Sequence, residues 1–178
     1  MEQKTNLSIK KLSAIFSLFI SIFFIQPSLS AQVKAGNSTD SVNAITIHQE
    51  ISFNVSPSRI YEILLSTKEF SACTKKSFDN FTSTSATIDA VVGDAFSLFD
   101  GHIIGTILEL VPNQRIVEAW RVVDWPAGVY SIAKFEFKPQ GTGTKLIFDH
   151  VGFPKGLKEH LASGWQEHYW GALTKYLQ

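Results

Sequence analysis

The stretch LKEHLASGWQEHYWGALTKYL, Leu157 to Leu177, decides how the rest of the chain is read. Leu157, Leu161, Trp165, Tyr169, Leu173 and Tyr176 recur at intervals of three and four, which predicts a helix of about 30 Å with one bulky apolar stripe. Each such side chain stabilises the fold by roughly 1.5–3 kcal/mol when fully buried, so the stripe demands a partner surface. Gly164 interrupts this helix at a cost near 1 kcal/mol relative to alanine. It predicts close approach of another backbone at that point.

The partner surface lies upstream. In ITIHQEISFNV, Ile45, Ile47, Ile51, Phe53 and Val55 share one face while Thr46, His48, Glu50, Ser52 and Asn54 share the other, the pattern of a strand with one side covered. Ser56-Pro57 then opens a helix, since the serine caps free N–H groups and proline at the first position loses no hydrogen bond. Its stripe is Ile60, Tyr61, Leu64 and Leu65, and a second short helix is expected around Lys68 to Cys73. Phe78 and Phe81 are expected to pack under the loop that follows. From Ala86 onward strands alternate with turns at Gly93-Asp94, Asp100-Gly101, Pro112-Asn113, Pro126-Ala127-Gly128 and Gly141-Thr142-Gly143. Asp100-Gly101 reads as a tight hairpin. Ala133, Phe135 and Phe137, like Leu146, Phe148 and His150, oppose polar neighbours, so one sheet face is core. The class is α+β: a seven-stranded curved antiparallel sheet around a long C-terminal helix, with two short helices after the first strand.

The chain has 178 residues, and its first thirty differ from the rest. Lys4, Lys10 and Lys11 precede an apolar run from Leu12 to Ile25, and Ser28-Leu29-Ser30 offers small residues at the spacing of a signal-peptidase site. Residues 1–30 read as a signal peptide cleaved after about Ser30, which sends the protein to the periplasm or outside the cell with no stable membrane anchor. An uncleaved anchor is the alternative, but the run falls short of the roughly 20 residues that span a bilayer. Residues 31–41 are small and polar, a flexible lead-in, and residues 42–178 form one domain. Formal net charge is zero for the whole chain, and losing the leader makes it slightly acidic, which excludes the basic excess of a nucleic-acid binder. Cys73 is the only cysteine, so no internal disulfide and no thiolate metal cluster can form.

Three runs carry a resemblance: GTILELVPNQRIVEAWRVVDWPAG, GTGTKLIFDHVGFP and GWQEHYWGALTKYL. Together, Trp120-Arg121, Trp125-Pro126, Gly152-Phe153-Pro154 and Gly164-Trp165 with Tyr169 resemble the C-terminal domain of the activator of heat-shock protein 90 ATPase, within the START-like (SRPBCC) superfamily. The likeness covers most of residues 45–177. It implies a helix-grip fold, in which the last helix lies across the sheet and can leave a cavity between them.

On that expectation Phe96, Trp120, Phe135, Phe148, Trp165 and Tyr169 line the cavity, with His150 as its polar group. The matching function is non-enzymatic binding of a small apolar or amphipathic ligand. A neutral, hydrogen-bonded core histidine is the competing account of His150. Trp125 and Pro126, in the DWPAG connection between the fifth and sixth strands, are candidates for a protein-partner surface, as in a co-chaperone. Covering the open end of the core is the other role for Trp125. A small cyclase or hydrolase is a third alternative, and it needs His150 beside a carboxylate. His160 and His168 are eight residues apart on one helix, too far for one ion, so they read as a solvated face and no metal site or cofactor is expected.

Overall fold

The protein is described by a computed structural model covering residues 46–75 and 85–178. The expected signal peptide and lead-in, and the expected packing of Phe78 and Phe81, lie outside the described residues. In chain order the elements are β1 (Thr46–Phe53), α1 (Pro57–Leu65), α2 (Thr67–Lys75), β2 (Thr87–Ile88), β3 (Ala95–Leu98), β4 (Ile103–Val111), β5 (Arg115–Val122), β6 (Ser131–Gln140) and β7 (Gly143–Val151). A C-terminal helix follows in three continuous parts: α3 (Lys158–Gly164), a π-helical segment (Trp165–Trp170) and α4 (Gly171–Tyr176).

The seven strands form one antiparallel sheet in the order β1-β7-β6-β5-β4-β3-β2. Six strands follow one another as a meander, and β1 joins the far edge through β7, with Ile47 opposite His150 and Ile51 opposite Leu146. Because side chains alternate across a strand, this register puts Ile47, Leu146, Phe148 and His150 on the face that meets the helix. The other face is crossed by polar pairs: the ion pairs Lys145 to Glu50 at 2.6 Å and Lys134 to Asp149 at 3.0 Å, and a hydrogen bond between His48 and Asp149 at 2.6 Å.

Local chemistry starts α1 as its sequence predicts. Ser56 Oγ accepts from the Arg59 N–H at 3.4 Å, and Pro57 occupies the first helical position. Ile63 joins Ile60, Leu64 and Leu65 as the buried stripe, while Tyr61 is half-buried and meets Phe137 edge-on at 5.7 Å. The second helix is real and longer than expected, burying Phe70, Cys73 and Thr74.

The β3–β4 connection departs from the expected two-residue turn. Phe99, Asp100 and Gly101 all take positive φ, at 52°, 56° and 88°, so the loop begins at a phenylalanine. For a bulky side chain this left-handed region is a costly conformation.

Gly105 on β4 is needed for a close approach. A Cβ there would stand 2.2 Å from the Ala119 carbonyl oxygen and 2.3 Å from Cζ of Phe96, whose ring occupies that space from β3. Gly105→Ala is therefore expected to lower stability by about 3 kcal/mol or more, read as a reduced midpoint in urea unfolding; an unchanged midpoint would mean that the Phe96 ring relocates freely.

Candidate functional site

The helix seats its stripe by widening. In an α-helix Trp170 would lie about 140° around the axis from Trp165, facing away from the sheet. Across Trp165–Trp170 the helix takes π geometry, and the Gly171 N–H bonds to the carbonyl of Gln166 five residues back. The wider turn brings positions five apart into line. Trp165, Tyr169 and Trp170 all point inward, with Trp165 stacked 5.8 Å from Trp170 at an interplanar angle of 21° and 4.1 Å from Tyr169. Gln49, on the inner face of β1, pins the helix on either side of Trp165: its amide donates to the Ala162 carbonyl at 3.0 Å and accepts from Trp170 Nε1 at 2.6 Å.

Beneath the helix, His150 is fully buried in a chain of hydrogen bonds. Trp165 Nε1 donates to His150 Nδ1 at 3.0 Å. Nδ1 is thereby an acceptor, so the proton sits on Nε2, which donates to Ser131 Oγ at 2.7 Å; that hydroxyl donates in turn to the Trp120 carbonyl at 2.8 Å. Burial lowers the His150 pKa to about 3. Both ring nitrogens are engaged, neither by a carboxylate, so this histidine orients Trp165 and holds β5, β6 and β7 together.

An open chamber of about 680 Å³ lies between the first half of the C-terminal helix and the strands β4 and β5. Its walls include Phe99, Ile103, Trp120, Val122, Leu161, Trp165 and Tyr169, and its polar groups are Asp100, His102, His160, Ser163, Glu167 and His168. Of the seven residues expected at a cavity, Trp120, Trp165 and Tyr169 line it. Phe96 and Phe135 border a separate small void, while Phe148 and His150 lie in the packed core. Three features were not anticipated. Phe99 is brought to the wall by its left-handed backbone, where its ring stands 5.4 Å from Tyr169 and 5.6 Å from Phe70. His160 and Glu167 are exposed, as a solvated face requires, yet with the half-buried His168 they also border the chamber, and burial lowers the pKa of His168. Gly164 meets nothing within 4 Å of a built Cβ, so the expected backbone approach is absent and the position opens onto the chamber instead. Among the described residues no three His, Cys, Asp or Glu side chains converge to hold a metal ion.

The DWPAG connection is organised by Arg121. Its guanidinium donates to the carbonyls of Val122 at 3.3 Å, Val123 at 3.1 Å and Trp125, and it lies 5.5 Å over the Tyr130 ring. This folds Trp125 inward, 8% exposed, with its ring 5.5 Å from Trp120. The turn thus presents Pro126 to solvent, while the Trp125 ring covers the end of the core.

Glu118 on β5 passed unnoticed in the sequence, although alternation places it between Ile116 and Trp120 on the inner face. It is 9% exposed and faces the small void beside Phe96, Phe135 and Tyr169. Burial raises its pKa to about 8. The carboxyl is therefore predominantly neutral at pH 7.

Comparison with known proteins places these features in a family context. Residues 54–178 match the family described as activator of Hsp90 ATPase homolog 1-like protein. The chain is 29% identical over 123 residues to the human activator of 90 kDa heat shock protein ATPase homolog 1, covering 69% of this chain and 34% of that protein. It is 26% identical over 147 residues to the Hsp90 co-chaperone AHA1 of Saccharomyces cerevisiae, covering 80% and 41%. The chain thus spans well under half the length of these relatives. Among solved structures, an HSP90 activator from Plasmodium falciparum superposes with a TM-score of 0.68 at 24% identity, over 74% of this chain and 95% of that one.

Two buried titratable groups, Glu118 and His150, give stability a defined pH dependence between acid and neutral pH. Glu118 ionises near 4.5 when unfolded but near 8 when folded, so raising the pH through that window favours the unfolded chain, by on the order of 5 kcal/mol at its alkaline end. His150 acts in the opposite sense: it takes a proton near pH 6.5 when unfolded but near 3 when folded, so stability falls as the pH drops through that window. The effects oppose each other between pH 4.5 and 6.5, where stability is expected to be greatest. In thermal unfolding followed across this range, Glu118→Gln is expected to flatten the alkaline limb and leave the acid limb in place. An alkaline loss as steep as that of the wild type would assign it to other groups.

Proposed function

Because the chain belongs to the activator of Hsp90 ATPase homolog 1-like family and holds an open apolar chamber under its last helix, we propose that it is a non-enzymatic binding module for a small apolar or amphipathic molecule. The chamber is the observation that carries this reading. Its volume falls within the range typical of small-molecule sites, and its walls are largely aromatic and aliphatic with a few polar groups at hand. His150, the residue an acid–base enzyme would draw on, has both nitrogens committed inside the core. Binding in this proposal acts by selecting the folded state and shielding the ligand from water. Residues 1–30 support an exported site of action, with cleavage after about Ser30.

A second reading rests on the relatives, which are named as activators or co-chaperones of Hsp90. In that case the protein docks on a protein partner, and the solvent-facing Pro126 turn is one surface available to it.

Ligand binding is tested by melting the protein in the presence of a set of lipids and hydrophobic metabolites. A ligand at a hundredfold excess over its Kd is expected to raise the melting temperature by roughly 5–10 °C; a full set without any shift would remove the reading. ATPase assays with purified Hsp90 test the second, for which stimulation or measurable binding is the supporting result and neither is the contrary one.

A further inference from the structure

We infer that β1 is a pairing edge whose occupant is the β1 of a second copy of this chain, so that two sheets join into one across a two-fold axis at Gln49. The inference concerns the edge of the sheet and is independent of what enters the chamber.

Among the described residues β1 and β2 are the two edges of the sheet, and they are built differently. β2 has two residues and its neighbour β3 four, so that side presents little main chain to a further strand. β1 runs for eight residues and keeps an unbroken register with β7, from Thr46 opposite Val151 to Phe53 opposite Thr144. An edge strand is a template for another strand, and proteins blunt such edges by short length, bulges, prolines or lysines. The segment TIHQEISF uses none of these devices.

Alternation restricts how a second β1 can add to it. Antiparallel pairing keeps both helix-bearing faces on one side only if residues of the same face stand opposite each other, so the axis must pass through a residue. Centring on Glu50 sets two carboxylates directly against each other, which is destabilising. Centring on His48 opposes two imidazoles and sets Ile47 against Gln49. Centring on Gln49 instead sets His48 opposite Glu50 and Thr46 opposite Ser52 on the outer face, and Ile47 opposite Ile51 on the inner one, each pair occurring twice.

The side chains suit that register. His48 and Glu50 are exposed, and His48 Nδ1 is bonded to Asp149 at 2.6 Å while Nε2 stands 3.8 Å from Glu50 Oε1 of its own strand, outside hydrogen-bond reach. Nε2 is therefore placed to meet the Glu50 carboxylate of a second copy. Half-buried Ile51 would gain cover from the facing Ile47. Such complementarity within one strand is what an isologous contact requires, and a foreign segment would match it only by chance. The formal net charge of zero adds no repulsion between copies. Pairing consumes the long edge of each copy, so the assembly closes at two.

The test is sedimentation velocity of the purified protein from about 1 µM to about 1 mM, the span of weak association, with a reversible monomer–dimer equilibrium as the expected result. Thr46→Lys combined with Ser52→Lys sets like charges opposite each other and is expected to raise the dissociation constant at least about tenfold. Thr46→Glu combined with Ser52→Glu is expected to do the same. An equimolar mixture of the two double variants is expected to restore the dimer, and melting of each variant at low concentration shows that it is folded. Monomer throughout for the unaltered protein would overturn the proposal and leave the edge to an extended segment of a different protein. Dimers that both double variants leave intact would place the contact elsewhere and overturn it too. A mixture that stays monomeric would overturn the register centred on Gln49, and growth beyond two copies would overturn the closed assembly.

Discussion

An indole N–H cannot be buried without an acceptor, and the acceptor for Trp165 organises this fold. His150 accepts that hydrogen bond, passes its own proton to Ser131, and through Ser131 reaches the Trp120 carbonyl. One chain of polar contacts therefore ties the C-terminal helix to three adjacent strands inside an otherwise aromatic core. It fixes the orientation of the Trp165 ring and holds the backbone of Trp120; the two rings lie 5.4 Å apart and both wall the chamber. The π-helical segment follows from the same seating, because a regular helix presenting Trp165 to His150 would leave Trp170 outside.

The sequence made the architecture legible wherever side-chain period and burial agree. Alternation in the 45–55 segment, in β6 and in β7 identified the covered face, and the three-and-four spacing after Leu157 identified the closing helix. Polar residues on a covered face were the blind spot. Gln49 and Glu118 occupy inward positions that alternation assigns correctly, yet their polarity hides them from a search for apolar stripes. The chamber was anticipated as a space but only partly as a set of residues. Trp120, Trp165 and Tyr169 line it, whereas Phe135 and Phe148 turned to pack with Trp165 and each other. Which aromatic fills a core and which borders a void is decided by helix position and by backbone conformations such as that of Phe99, and neither has a period.

The chamber also sits among the least favourable local arrangements in the domain. Phe99 holds a left-handed backbone, Gly164 weakens its helix, and Glu118 buries a carboxyl on the strand that carries Trp120. The opposite sheet face, by contrast, is a lattice of cross-strand ion pairs whose partly exposed members each contribute little. Stability comes from the aromatic core and the hydrogen-bonded chain through it, which leaves the neighbouring cavity free to be shaped by something other than folding.

The bonds from Gln49 to Ala162 and Trp170 join positions 113 and 121 residues apart. During synthesis β1 emerges long before β7 or the last helix exists to cover it, and it must wait with its apolar side bare. Closure becomes a late, collective event once both distant segments have left the ribosome.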